Sequence, residues 1–525
     1  MARVAFHTVG VLTLAAVSAA GACDQGETQH LSGSAHSATV GAGGSGGQGQ
    51  GGEAVIVELG NPNHVLLRGW VLTPDESFAG EVLVENDLIA CVAASCADQP
   101  AAADASVVET NGIILPGMID THNHILFNIF DESDWTPSQS YTNHLDWTDE
   151  ARYAAMVDAK QHLNGEFSSP VNLNCELDKY GELKGLVAGT TSIVGAATPG
   201  NKGCYATLAR SIDQSSNGLC DMQSCDDKVQ AHTLFPSAST ADGVCTNFGD
   251  GDTEAYVVHI GEGTDQEARD ELESLRTVTT TDGCLFEPRT TIVHGTAFGA
   301  AELDVLANAT MALSWSPRSN VFLYGAGTDK SKTTDIPGAL DRGIRIALSP
   351  DWSIGGSQNL LDELRFADEI DGELWGDVLS PEMLVAMVTS TPAELLALEG
   401  QIGRLAPGLK ADLVVIGGDP ASPYASVVAA TPREVRLVMV DGLVLYGDDQ
   451  LQPLGPTDPG CEALDICARA KFVCVARPGG AADDKLAQTF AEIRTALEEA
   501  LAAYDAMNLS QWDFAPLTPL VRCPQ

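Results

Sequence analysis

The stretch Pro116-Gly117-Met118-Ile119-Asp120-Thr121-His122-Asn123-His124 follows the apolar run 112–115, and its reading decides the fold. Residues two apart in a strand share a face, so His122 and His124 project together. At the C-terminal end of a parallel barrel strand that face is the mouth where barrel enzymes carry out their chemistry. Two imidazoles converging there can hold a zinc-like ion through nitrogen. A bare HxH is a weak motif; placed directly after a strand and a Pro-Gly-x-Ile-Asp run, it is far more specific.

Three later segments end the same way. In Tyr256-Val257-Val258-His259-Ile260-Gly261-Glu262, His259 closes a β-branched run and Glu262 lies just past it. A desolvated glutamate there can take a proton from water and pass it to a leaving nitrogen. Thr290-Thr291-Ile292-Val293-His294-Gly295 places His294 where an imidazole can polarise a carbonyl or orient water. Ile346-Ala347-Leu348-Ser349-Pro350-Asp351-Trp352 ends in a carboxylate able to serve both a metal and the attacking water. Each alone has an ordinary reading: a surface glutamate, a structural histidine, a helix-capping aspartate. Their ordered succession is what gives them weight.

Outward from these segments, strand-like runs at 112–119, 190–194, 255–260, 290–293, 311–315 and 345–348 alternate with helical stretches. That alternation argues for parallel strands with helical crossovers, an α/β chain with a TIM-like (β/α)8 barrel over 112–398. Two β-rich segments bracket it. The first comprises 65–73 and 81–93, broken by Pro74 and Gly80; the second comprises 412–416, 435–441 and 443–446, with Asp441-Gly442 as a hairpin turn. Residues 54–111 and 399–456 are therefore expected to build one small β-sandwich domain. Residues 484–507 carry apolar side chains at helical spacing, so 457–525 reads as a cysteine-bearing helical appendage pinned to the barrel.

The N-terminus reads as a targeting segment, with Arg3 before the apolar run 9–20 and Ala20-Gly21-Ala22 before Cys23. Small residues before a cysteine resemble a bacterial lipobox. The expectation is a signal peptide over 1–22, a lipid on Cys23 and a Gly/Ser-rich tether over 23–53, making a periplasmic or cell-surface lipoprotein. Ordinary signal cleavage after Ala22 and an uncleaved anchor are the alternatives. The 13 cysteines fit an oxidising compartment; Cys91 lies near Cys96 and Cys220 near Cys225, while Cys461, Cys467, Cys474 and Cys523 gather in the tail. No CxxC pair offers a thiolate zinc site. A formal charge of −44 makes nucleic acid an improbable partner, because phosphate repels such a surface. A small-molecule substrate is expected.

The order HxH, HxxE, His, Asp resembles the amidohydrolase superfamily, and within it the mononuclear branch of cytosine and guanine deaminases and the atrazine and melamine hydrolases. Trp315-Ser316-Pro317-Arg318-Ser319-Asn320 is similar to that branch's segment after the seventh strand. The stretch from Gly403-Arg404-Leu405-Ala406-Pro407-Gly408 to Val415 is similar to its return to the β-domain. The resemblance covers roughly 65–448 and leaves out the tether and the tail. It implies metal ligands His122, His124, His259 and Asp351 and one divalent ion, zinc or iron. Glu262 would be the proton shuttle, and His294 and Asp351 would stabilise the tetrahedral state. Binuclear relatives need a bridging lysine near the fourth strand, whereas Lys202 and Lys228 sit in loop-like sequence.

Two departures bear on the substrate: Trp352 beside Asp351, and the region 204–245, rich in Cys, Asp and Ser. Phe127, Asn128, Trp315 and Trp352 are candidate pocket residues, each equally readable as packing. The resulting expectation is hydrolysis of a C–N bond in a cyclic amide or amidine or an aminated heterocycle. A prolidase-like dipeptidase and a non-catalytic surface lipoprotein are the alternatives. The missing lysine counts against the first, and the filled ligand positions count against the second.

Overall fold

The computed structural model describes residues 52–73, 76–195, 203–214, 217–219 and 228–523. The expected signal peptide, Cys23, nearly all of the tether, Lys202 and the neighbours Cys220 and Cys225 lie outside the described residues. No described helix is long and apolar enough to cross a membrane.

Eight short parallel strands carry the site: β1 (Met118–Asp120), β2 (Thr190–Ile193), β3 (Arg210–Ser211), β4 (Val229–His232), β5 (Ala255–Ile260), β6 (Thr290–His294), β7 (Ala312–Trp315) and β8 (Ile346–Leu348). They hydrogen-bond in two arcs, β1-β2-β3 and β4-β5-β6-β7-β8, each in sequence order. A parallel bridge between Asn123 and Asp351, with the His124 amide donating to the Asp351 carbonyl at 2.7 Å, joins the end of β1 to that of β8. Sequential parallel strands joined by crossover helices, such as Asn174–Leu186, Gln266–Thr277 and Ala300–Asn308, are the (β/α) arrangement expected from the alternation of runs. Strands β3 and β4 were not anticipated. β3 has two residues and β4 follows polar sequence, so neither shows an apolar run of its own.

The two bracketing β segments form one hydrogen-bonded sheet of ten strands. They meet where Leu413–Ile416 pairs antiparallel with 113–116 of the strand Ala105–Pro116. Asp441 and Gly442 turn the following hairpin at φ 53° and 76°, as the Asp-Gly pair demands. Two boundaries differ from expectation. The run 112–119 is not one barrel strand: 112–116 completes the long strand of the sheet, and β1 begins only at Met118. The break falls at Gly117, where a Cβ would lie 2.2 Å from Thr191 Oγ1, so only glycine lets the chain pass β2. The tail is also not wholly helical. Its strands Glu462–Asp465 and Ala470–Val473 extend the ten-stranded sheet before the helix Phe490–Asp505.

That helix packs on the barrel helices Ala151–Leu163 and Asn174–Leu186. Covered on its outer side, Asn174–Leu186 buries nearly every residue, so its polar groups need internal partners. Lys485 of the tail meets Glu176 at 2.7 Å, and Tyr180 donates to the Thr518 carbonyl. Disulfides Cys461–Cys474 and Cys467–Cys523 fasten the tail, as its clustered cysteines implied, and Cys91–Cys96 closes as expected. Cys204 and Cys245 pair outward, with Cys175 and Cys284.

Candidate active site

The strand ends converge. His122, His259, His294 and Asp351 are all buried and present donor atoms within 4.8 Å of one another. His124, on the same face as His122, approaches Asp351 Oδ1 with Nε2 at 3.3 Å, while His122 Nε2 lies 2.9 Å from the same oxygen. The His124 ring stands 4.9 Å from that of His122 and 5.6 Å from that of His259, so it belongs to the cluster. Its side chain, 24% accessible, marks the solvent side. His294 and Asp351 hold left-handed φ of 68° and 66°, a strain residues with a Cβ adopt where the surrounding structure demands it.

Burial lowers the His122 imidazole to about 3 and the His124 imidazole to about 4, and pushes His259 and His294 well below the usual range. All four are neutral at pH 7, the state in which imidazole nitrogen binds metal. Their hydrogen bonds then divide their roles. His259 Nδ1 donates to the His232 carbonyl at 3.1 Å, leaving on Nε2 a lone pair that is buried and without a hydrogen-bond partner. A buried acceptor without a hydrogen-bond donor, aimed into a His/Asp cluster, suits a cation ligand. His294 is set the other way. Asn320 Nδ2 donates to its Nδ1 at 3.2 Å, with the amide oriented by the Thr333 hydroxyl on Oδ1, while the Thr334 hydroxyl donates to the His294 carbonyl at 2.7 Å. Its proton therefore sits on Nε2, making that atom a donor. The residues thus fit a divalent metal held by His122, His124, His259 and Asp351, with His294 beside it as hydrogen-bond donor. Ser319 donates to the second oxygen of Asp351.

Glu262 reaches this cluster because Gly261 turns at φ 75°, where a Cβ would strike Phe298 at 2.5 Å. Burial raises its carboxyl to about 7. Tyr324 donates to Oε1 at 2.9 Å, and Oε2 faces His294 Nε2 at 3.9 Å. A carboxyl poised near neutrality beside a metal-ligating cluster suits proton transfer in both directions.

Of the candidate pocket residues, Phe127 and Trp352 flank His124, with ring centroids at 6.3 and 5.5 Å. Trp135, Trp147 and Tyr153 continue this aromatic wall. Asn128 is a scaffold residue, bonded to Asn123 and to the Ser353 amide. Trp315 stacks on Trp375 and donates to Thr333, so it is packing. On the other side of His122 a cavity of about 290 Å³ opens, lined by Asp213, His232, Leu234, Phe235 and Val257. His232 and Tyr324 escaped the sequence reading. The signal for His232 was a histidine closing a short strand, in a stretch too polar to read as one.

Residues 188–445 match the model of the amidohydrolase family. The chain belongs to the amidohydrolase family. It is a hydrolase of carbon–nitrogen bonds other than peptide bonds. The 5'-deoxyadenosine deaminase of Methanothermobacter thermautotrophicus is 23% identical over 423 residues, 71% of this chain and 91% of that protein. Among solved structures, atrazine chlorohydrolase from Arthrobacter aurescens complexed with zinc superposes with a TM-score of 0.55 at 17% identity, covering 73% of this chain and 95% of that one. Guanine deaminase from Bradyrhizobium japonicum gives 0.54 at 16%, covering 74% and 100%. These likenesses carry the fold: a (β/α) barrel with a β-sandwich domain. Strand β4 of this amidohydrolase ends in His232, with no lysine at the place a bridging one would occupy, and Lys228 pairs outward with Glu254 at 2.8 Å. That places it with the mononuclear branch.

Proposed function

We propose that this amidohydrolase is a zinc-dependent deaminase that replaces an amino group on a nitrogen heterocycle by oxygen. The observation that carries the reading is Glu262: buried, raised to about 7, and facing the His294 Nε2–H across 3.9 Å beside the His/Asp cluster. Deamination requires one group that accepts a proton from water and returns it to the departing nitrogen, and Glu262 is built for both. The deoxyadenosine and guanine deaminases among its relatives support an aminated ring over a cyclic amide.

His122, His124, His259 and Asp351 would hold the ion, which supplies the Lewis acidity that lets water attack at neutral pH. The protein's own residues do the rest. Glu262 Oε2 takes the water proton and delivers it to the leaving nitrogen, while Tyr324 fixes the carboxylate through Oε1. His294, locked as the Nε2–H tautomer by Asn320, donates to the developing negative charge. Phe127 and Trp352 offer ring faces for a planar heterocycle. Supporting export to an oxidising compartment, the second part of the reading, are the five disulfides among the described residues. Incorporation of labelled palmitate, lost in Cys23→Ser, tests the lipid anchor.

The test of function is ammonia release from a panel of adenosine, 5'-deoxyadenosine, 5-methylthioadenosine, guanine and melamine, alongside metal analysis. Wild type should hold one zinc per chain and His122→Ala/His124→Ala none. Glu262→Gln should keep its zinc and lose roughly 10²–10⁴ in kcat. A metal-loaded wild type that releases no ammonia from any amine, or a Glu262→Gln of near wild-type turnover, would overturn the reading.

A further inference from the structure

Behind Glu262 stands a second imidazole that the mechanism above leaves unused. His144 opens the short helix His144–Trp147, in the loop that follows β1. Its Nδ1 lies 3.9 Å from Glu262 Oε2, and its Nε2 lies 2.6 Å from Glu271 Oε1. Glu271 belongs to the helix Gln266–Thr277, and its other oxygen accepts from the Gly261 amide at 2.8 Å, so it grips the turn that presents Glu262. The loop is stitched to the same turn. The Thr264 amide donates to the Thr142 carbonyl at 2.7 Å, Asn143 bridges Gly263, and the His144 amide meets the Glu262 carbonyl. Three side chains from three segments therefore form one line, Glu271–His144–Glu262.

The order of partners resembles the logic of a nucleophile's base oriented by a carboxylate. Burial alone would lower the His144 imidazole, but the Glu271 hydrogen bond and the charges of Glu262, Glu271 and Asp265 outweigh it and raise it. Glu262 is faced in turn by Asp351, His294, Tyr324 and Tyr153. His144 itself is partly open to solvent, with 18% of its side chain accessible. At 3.9 Å the pair is an ion-pair contact; a small swing of the carboxylate or one bridging water makes it a proton path.

We infer that His144, oriented by Glu271, is the positioning and proton-resupply residue of Glu262. The inference rests on the deaminase reading for its chemistry. Water attack forms the C–O bond and breaks the C–N bond, the C–N electron pair leaving with nitrogen. Water supplies both protons that turn the amino group into ammonia and the ring into its oxygen-substituted form. Departure as ammonium consumes one proton more. His144 gives that proton from Nδ1 to Glu262 Oε2, Glu262 passes it to the nitrogen, and the neutral imidazole regains it from solvent. Glu271 keeps the Nε2 proton throughout and stabilises the charged ring.

Two readouts on the full-length, zinc-loaded chain test this separately. The first needs no substrate. With ¹⁵N-histidine labelling, the signal lost in His144→Gln should titrate above the ordinary imidazole range, and its midpoint should move in Glu262→Gln and fall in Glu271→Gln. A His144 that titrates at or below an ordinary imidazole in the wild type, or one unmoved by Glu262→Gln, overturns the inference. The second uses whichever panel amine is turned over. His144→Ala should lower kcat about ten- to hundredfold with KM within about twofold, and free imidazole should restore it saturably. Loss of kcat without imidazole rescue, or none at all, also overturns it, and Glu271→Gln provides the same kcat test should His144→Ala fold poorly. If no amine is turned over, the deaminase reading falls, and the labelling result alone decides whether His144 serves Glu262.

Discussion

Arg210 ties the barrel to the ten-stranded sheet, and its removal has a size that can be worked out. It stands on β3, almost fully buried, with Nε 2.7 Å from Asp412 Oδ2 and Nη2 3.0 Å from both Asp412 Oδ1 and Asp441 Oδ1. Asp412 directly precedes the strand that joins the two halves of the sheet. Arg210→Met fills the space but takes two charge-assisted bonds from a carboxylate that stays buried and keeps, among the described residues, the Asp441 amide as donor. At about 1.5–3 kcal/mol for each such bond, the loss is about 3–6 kcal/mol, in line with the 3–5 kcal/mol typical of a broken buried pair. With roughly 470 residues unfolding at about 2.1 cal/mol/K each, Tm falls about 1 °C per kcal/mol, so roughly 3–6 °C. Arg210→Met/Asp412→Asn removes the stranded charge yet keeps an acceptor for the Asp441 amide, and should recover more than half of the drop. Calorimetry at one scan rate, with the Asp412→Asn single variant closing the cycle, measures both terms. A single-variant change under 1 °C, or strictly additive effects, would refute the argument that this pair holds β3 against the sheet.

Two further outcomes follow from buried groups. Tyr324→Phe removes the donor on Glu262 Oε1, so the carboxylate is harder to ionise. A hydrogen bond to a charged group is worth about 1.5–3 kcal/mol, so the acid limb of kcat/KM should move up by about one to two pH units; an unmoved limb would show that the phenol does not stabilise the ionised form. Lys184 is fully buried, bonded to Gln358 Oε1 at 2.9 Å, and burial lowers its amine to about 7. Between pH 7 and the ordinary lysine range near 10.5 the unfolded chain binds a proton the folded chain lacks, so stability rises with pH across that window. Lys184→Met should flatten that rise and raise Tm at pH 7, as unfolding from pH 7 to 9.5 would show; an equal pH dependence in both proteins would place the amine in contact with water.

The candidate site of this amidohydrolase was legible wherever a side chain closes an apolar strand. His122, His124, His259, His294 and Asp351 each follow a run whose period or continuity marks a strand end, and parallel strands bring all such ends to one rim. Glu262 was legible too, by its place just past β5. The Asp441-Gly442 turn and the tail helix were local, written in φ preference and helical spacing. Tertiary structure alone decided the rest. β3 and β4 are held by neighbouring strands and need no apolar pattern of their own, so His232 stayed hidden. The break at Gly117 depends on Thr191, some seventy residues on, and no local rule reports that collision. His144 lies in a loop 118 positions before Glu262, and only the stitching of that loop to the turn after β5 makes them neighbours. Likewise the metal-ready tautomer of His259 and the donor tautomer of His294 were set by the His232 carbonyl and the Asn320 amide. Sequence names the groups that can do the chemistry, because strand periodicity is local; which proton each one carries is decided by partners that only the closed barrel supplies.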